Sequence, residues 1–167
     1  IIDLETEHEL GPDQRGELWI RGPQIMQGYL NDAEKTSGMI NSEGWLRTGD
    51  IAYADESSNF YIVDRAKELI KYKAYPIAPA ELEAVLLSHP LVRDAAVVPI
   101  PDEMAGQIPK AFVVSEGPLD GAELMSWVNE RVAPYKKIRR IEFVDEIPKS
   151  PSGKTLRRVL MDRTPKS

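Results

Sequence analysis

Three short runs of this chain hold polar or charged side chains where turns and a change of pattern would expose them. The run nearest the C-terminal end is Pro148-Lys149-Ser150-Pro151-Ser152-Gly153-Lys154-Thr155, with Lys154 at the tip of a Pro/Gly/Ser loop. A lysine there is a mobile point charge, suited to a carboxylate or a phosphate whose charge grows in a transition state. Gly153-Lys154-Thr155 looks like the end of a Walker A loop, but that motif needs glycine five residues before Gly153, and Pro148 stands there. Pro151 removes another backbone N–H that a phosphate cradle would use. The plainer alternative for Lys154 is a side chain that simply faces solvent.

The second run is Thr48-Gly49-Asp50, placed between two expected strands. A carboxylate held on such a corner can accept two hydrogen bonds at once, which suits a pair of ribose hydroxyls. A turn-forming aspartate is the simpler reading of Asp50. The third run is Asp64-Arg65-Ala66-Lys67-Glu68-Leu69-Ile70-Lys71-Tyr72-Lys73. Lys67, Lys71 and Lys73 alternate with Ile70 and Tyr72 as one face of a strand, presenting positive charge along an edge. The segment lies where the pattern of elements changes, so a hinge is one reading and a solvated edge strand the other.

The elements that position these runs fall into two groups. Residues 16–22, 44–47, 51–54 and 59–63 read as short strands separated by polar turns, with a capped helix from Asn31-Asp32 to about Ser37 that Gly38 stops. After Asp64 the pattern becomes mixed. Helices are expected over 79–88, with Pro79 in the first turn, over 120–132, with Leu124, Trp127, Val128 and Val132 on one stripe, and over 156–161. Strands are expected at 95–99, 110–114 and 140–144. The fold class is therefore α+β: a β-rich piece over residues 1–64, then a small sheet flanked by helices over 65–167.

Composition excludes several functions. The 167 residues include no cysteine, and the two histidines, His8 and His89, are isolated, so disulfides, thiolate zinc sites and any metal centre are not expected. No apolar run approaches the ~20 residues of a membrane span. No basic, apolar secretory start precedes Glu5, so the expected location is cytoplasmic. The chain starts in mid-pattern without methionine and reads as a piece of something longer. Residues 131–167 carry eleven Lys/Arg against four Asp/Glu, although the whole chain is at −6. That basic stretch lacks an aromatic stacking platform and follows a strand-and-helix pattern, so an anionic small molecule or acidic partner fits it better than nucleic acid.

Together the runs resemble the acyl-adenylate-forming enzymes. Gly16-Glu17-Leu18-Trp19-Ile20-Arg21-Gly22 with Gly28-Tyr29 is similar to their Gly-Glu-Leu…Gly-Tyr motif, and Gly44-Trp45-Leu46-Arg47-Thr48-Gly49-Asp50 to their Trp…Thr-Gly-Asp motif. Asp64-Arg65 through Glu81-Leu82-Glu83 resembles the hinge motif, and the stretch from Pro148 to Arg157 the terminal Pro-Lys-Ser…Gly-Lys motif. Glu68-Leu69-Ile70-Lys71-Tyr72-Lys73 and Ala78-Pro79-Ala80-Glu81-Leu82-Glu83 look like the 4-coumarate–CoA ligase and firefly-luciferase branch.

The resemblance implies an enzyme that activates a carboxylic acid with ATP to an acyl-AMP and then passes the acyl group to coenzyme A. Residues 1–64 would end the barrel of a large N-terminal domain, and 65–167 would be a mobile lid. Asp50 would hold the ribose of ATP with Arg65 and Ile62 beside it, and Lys67 would be the hinge. Lys154 would be the catalytic lysine of adenylation; Lys71, Lys73 and Ala74 would line the coenzyme A tunnel in the thioester step. Mg2+ would be bound mainly through the large domain, whose Ser/Thr/Gly-rich phosphate loop has no counterpart here. The chain alone is therefore expected to be inactive, with its own large domain as its partner. Two departures stand out: Ala74 replaces a usual glycine and Pro76 a usual glutamine, and the expected result is altered acid or thiol handling. Coumarate-like, fatty and other aryl acids all fit the resemblance. A luciferase-like oxygenase and a non-enzymatic module with a basic C-terminal face are the alternatives.

Overall fold

A computed structural model describes residues 1–73 and 75–162. They divide into two compact units, one over Ile1–Lys67 and one beginning at Glu68.

The first unit contains β1 (Gly16–Ile20), α1 (Ala33–Met39), β2 (Leu46–Ala54) and β3 (Phe60–Arg65). The strands form an antiparallel sheet in the order β1-β2-β3. The Asp32 carboxylate caps α1 by accepting from the Lys35 amide at 2.9 Å. The helix continues through Gly38 to Met39, because the Ile40 amide still reaches the Thr36 carbonyl at 2.8 Å. The two strands expected on either side of Thr48-Gly49-Asp50 are in fact one. In place of a turn there is a bulge: Trp19 pairs with Arg47 and Glu17 with Ile51, so three residues of β2 lie opposite Leu18. Gly49 has φ 72°, a conformation in which a side chain is strained.

The second unit contains β4 (Ile70–Tyr72), β5 (Tyr75–Ile77), α2 (Pro79–Leu87), β6 (Val92–Asp102), β7 (Gly106–Ser115), α3 (Gly121–Asn129), β8 (Arg140–Phe143) and α4 (Arg157–Asp162). The sheet runs β5-β4-β7-β6, and β8 joins β7 in parallel while every other pairing is antiparallel. The result is the expected α+β class, with sheets flanked by a few helices.

The apolar runs of β6 and β7 are continuous because both faces of this sheet are covered. Ala95, Val97, Ala111 and Val113 face α2 and α3, joining Leu82, Leu86, Leu124 and Val128 in one core. Ala96, Val98, Phe112 and Val114 face the other way, onto Ile147 and Leu160. Asp120 caps α3 through the amides of Ala122 and Glu123 at 2.8 and 3.0 Å. Pro76 lies on β5, the edge strand, which is where a residue without an amide is tolerated.

Candidate functional site

The bulge in β2 is built by the residues of β1. The Glu17 carboxylate accepts from the Gly49 amide at 3.0 Å with one oxygen and from Trp19 Nε1 at 3.0 Å with the other. The Thr48 hydroxyl donates to the Leu18 carbonyl at 2.7 Å and accepts from the Asp50 amide at 3.0 Å. Two runs about thirty residues apart thus lock each other, and Asp50 is displayed from the locked bulge. Its Oδ1 pairs with Arg65 Nε at 2.9 Å, while 31% of the Asp50 side chain stays exposed. Hydroxyl donors can therefore still reach the carboxylate. Ile62 lies on β3 opposite Ala52 and is 59% exposed. Asp50, Arg65 and Ile62 are brought onto the neighbouring strands β2 and β3.

On the same sheet, Tyr61 donates its hydroxyl to Asp55 at 3.1 Å, and that bond raises the phenol above the usual tyrosine range. Asp55 is held below the usual carboxylate range, mainly by the Asn59 side-chain amide.

Lys67 does not share a strand face with Lys71 and Lys73. The chain leaves β3 at Arg65 and makes a short 3-10 turn over Ala66–Glu68 before β4 begins. Lys67 is exposed in that turn and is the last residue of the first unit. The alternation expected over 67–73 fails because the turn resets the strand phase.

Lys71 and Lys73 sit on the β4–β5 hairpin. Lys71 donates its amide to Gln107 Oε1 at 2.7 Å, and Lys73, at φ 53°, donates its amide to the Ala105 carbonyl at 2.7 Å. Both side chains are exposed. Aromatic contacts brace the hairpin: Tyr75 stacks on Tyr135 at 5.0 Å, and the Arg139 guanidinium lies 5.3 Å from the Tyr72 ring centre. The hydrogen bond from Arg139 holds the Tyr72 phenol below the usual tyrosine range. Ala74 lies outside the described residues.

Lys154 stands on a second hairpin. Lys149 and Thr155 pair as a bridge, the Ser150 amide meets the Lys154 carbonyl at 2.8 Å, and the Lys154 amide reaches Ser150 Oγ at 3.2 Å. Gly153, at φ 81°, makes the turn. Among the described residues the Lys154 ammonium has no ion pair, and the residue is exposed. The base of the hairpin is tied to β6, where Lys149 pairs with Asp94 at 2.5 Å.

The two lysine groups of the second unit are not brought together. Lys73 is bonded beside the β6–β7 turn, just past Asp102, whereas the Lys154 hairpin is tied at Asp94. Eight residues of strand separate those anchors, roughly 26 Å of rise.

Sequence reasoning missed four residues. Glu17 belongs to the strand and to the Gly-Glu-Leu motif of the sequence reading, which give it no partner, yet it organises the bulge. Arg157 donates to Glu68 at 2.6 Å and to both oxygens of Glu83 at 2.8 Å. Their mixed charge and motif positions were the available signal; their pairing was not. Among the described residues no cluster of His, Asp or Glu suits a metal ion, and no helix is long and apolar enough to cross a membrane.

The chain is similar to known proteins in sequence and in fold. Residues 81–154 match the AMP-binding enzyme C-terminal domain. Over 163 residues the chain is 55% identical to the peroxisomal OPC-8:0-CoA ligase 1 of Arabidopsis thaliana, covering 96% of this chain and 30% of that protein. It is 53% identical to the 4-coumarate–CoA ligase of Pinus taeda, covering 98% of this chain and 30% of the relative. The chain thus spans about a third of the length of these curated relatives. Among solved structures, ATP-bound MatB from Rhodopseudomonas palustris superposes with a TM-score of 0.91 at 28% identity, over 97% of this chain and 33% of that one. The o-succinylbenzoate CoA synthetase of Bacillus subtilis with its acyl-adenylate intermediate gives 0.87 at 34% identity, over 97% and 33%.

Proposed function

The chain belongs to the acyl-adenylate-forming, AMP-binding enzyme superfamily, and on that premise we propose that it is the C-terminal part of an AMP-forming acyl- or aryl-CoA ligase. The observation that carries this reading is the identity of 53 and 55% to named CoA ligases across nearly the whole chain. Residues 1–64 close the large domain and 65–167 form the lid, and the division of the chain after Lys67 supports a hinge at that residue.

In the first step an oxygen of the acid's carboxylate attacks the α-phosphorus of ATP. The acyl–O–P bond forms, the bond to the bridging oxygen breaks, and pyrophosphate leaves. The Asp50 carboxylate, oriented by Arg65 Nε at 2.9 Å, takes the ribose hydroxyls, with Ile62 against the nucleotide. The Lys154 ammonium bridges the acid's carboxylate and the phosphate, offsetting the negative charge that gathers there. No protein residue of this chain is assigned to Mg2+, because its described carboxylates are not clustered for a metal.

In the second step the thiol sulfur of coenzyme A attacks the acyl carbon. The thioester forms, AMP leaves with the former bridging oxygen, and the thiol proton passes to solvent. Lys71 and Lys73 line the approach. Their separation from the Lys154 hairpin along β6 supports alternate use of the two groups by a rotating lid. The cytoplasm is the proposed setting, and the peroxisomal name of one relative makes cell fractionation the measurement that decides it.

The test is the pair of half-reactions in the full-length enzyme, assayed with 4-coumarate and with a panel of fatty acids. Lys154→Ala abolishes acyl-AMP formation and spares thioester formation from supplied acyl-AMP; equal loss of both steps refutes the assignment. The 167-residue chain by itself forms no acyl-AMP, and any robust formation by it refutes the division of labour.

A further inference from the structure

Arg157 opens α4 three residues after Lys154, and the reading above gives it no role. Its side chain is 19% exposed, and Glu83, on α2, is 15% exposed. Glu68 is the first residue of the second unit and 39% exposed. One guanidinium thus joins the residue after Lys67 to α2, while its Nε lies 3.4 Å from the Val97 carbonyl on β6. Glu83 Oε1 also accepts the Val97 amide at 2.8 Å. A planar fork sharing two carboxylates in a mostly buried setting has one satisfactory arrangement, unlike a lysine in the same place.

The hairpin bearing Lys154 is oriented from its base. The Lys154 ammonium has no ion pair among the described residues, so its placement follows from the base of the hairpin. That base is set by the Lys149–Asp94 pair, by the Leu156 amide on the Pro148 carbonyl at 2.8 Å, and by α4, whose Leu160 is fully buried. Three residues span at most about 10 Å, and the Leu156–Pro148 bond and the Lys149–Thr155 bridge between them tie Arg157 to the Lys154 hairpin.

The other lysines are connected differently. Lys71 follows Glu68 by three residues along the backbone, on β4, which is paired to β5 and β7. Lys154 is 86 residues away from Glu68 in the chain, and Arg157 provides the direct link back to that residue.

We propose that Arg157 is a positioning residue that couples Lys154 to the hinge. By gripping Glu68 and Glu83 together it makes the segment after Lys67, α2 and the Lys154 hairpin turn as one body. The proposal rests on the adenylation role of Lys154 stated above.

The experiment uses the full-length ligase with 4-coumarate, or the best-turned-over acid of the cinnamate and fatty-acid panel. ATP–pyrophosphate exchange reports adenylation, and supplied acyl-AMP with coenzyme A reports the thioester step. Arg157→Lys lowers kcat of exchange by about ten- to a hundredfold, the size of effect expected of a small misplacement. It leaves the KM for ATP and the thioester step within about twofold of the unmodified enzyme. Glu68→Gln acts in the same direction by about fivefold or more. A merely structural role would lower both half-reactions together, and that result overturns the proposal. So does exchange within twofold of the unmodified enzyme in both variants while Lys154→Ala is inactive. If Arg157→Lys does not fold, Glu68→Gln decides by the same criterion. Exchange that survives Lys154→Ala removes the adenylation reading itself, and this proposal with it.

Discussion

Replacing Glu17 by glutamine separates two explanations of the β2 bulge: a local turn preference of Thr48-Gly49-Asp50, or an organised clamp from β1. In the clamp, both carboxylate oxygens are used, one by the Gly49 amide and one by Trp19 Nε1, each at 3.0 Å. A hydrogen bond to a charged group contributes about 1.5–3 kcal/mol. Glutamine keeps a single acceptor oxygen and turns an N–H toward the remaining donor. One bond is lost, and the other loses its charge assistance. The partial burial of Glu17 lets water recover part of this, so Glu17→Gln destabilises the first unit by about 2 kcal/mol and Glu17→Ala by about 3 kcal/mol. Trp19→Phe removes the competing donor, so adding it to Glu17→Gln costs at least ~1 kcal/mol less than the two single changes summed.

The assay is urea unfolding of the chain labelled with 5-fluorotryptophan, which resolves the three tryptophans by 19F NMR. Trp45 reports the first unit in every variant, and Trp127 serves as the internal control from the second. In the full-length enzyme the loosened bulge displaces Asp50 and raises the KM for ATP severalfold. A Trp45 transition that moves by less than about 0.5 kcal/mol in Glu17→Gln refutes the clamp, because that is the ordinary effect of a surface change. An equal shift at Trp127 refutes its confinement to the first unit.

Two further outcomes follow from the second unit and the tyrosines. Lys110 is 8% exposed while its partner Glu142, 2.7 Å away, is 44% exposed, so the two ends of the pair respond unequally. Lys110→Met puts an apolar chain beside Phe112 and leaves Glu142 to water, changing stability by no more than about 1 kcal/mol; Glu142→Ala strands a buried ammonium and destabilises by about 2–3 kcal/mol, and the reverse order in urea unfolding rejects the argument. Titration followed by tyrosine 13Cζ shifts finds Tyr72 ionising below and Tyr61 above the ordinary value of roughly 10, and Arg139→Gln moves Tyr72 upward. Because folding favours the Tyr72 phenolate, the second unit gains stability as pH rises through the folded Tyr72 value. Tyr61 has the opposite sign: its contribution is present below the unfolded value and is lost as pH rises through the folded one.

Much of the local structure was readable from the residues. The Asp32 and Asp120 caps, Pro79 in the first turn of α2 and the apolar runs of β6 and β7 all signal their elements within a few positions. The misreadings share one cause. Thr48-Gly49-Asp50 has turn composition, yet its backbone groups find partners on β1, so it stays inside β2 as a bulge. The alternation of Lys67, Lys71 and Lys73 is real in the sequence, but a 3-10 turn intervenes before the period can be expressed on one strand.

The sequence by itself determined the kinds of chemistry available, because residue types, caps and breakers act over a few positions. It placed a mobile cation on a Gly/Pro/Ser loop, a carboxylate beside a glycine, and no thiols at all. Only the tertiary structure decided which of these groups share a surface. Glu17 meets Gly49 across 32 residues, and Arg157 meets Glu83 and Glu68 across 74 and 89. Those pairings depend on strand register and on both faces of one sheet being covered, and neither is expressed in spacing along the chain.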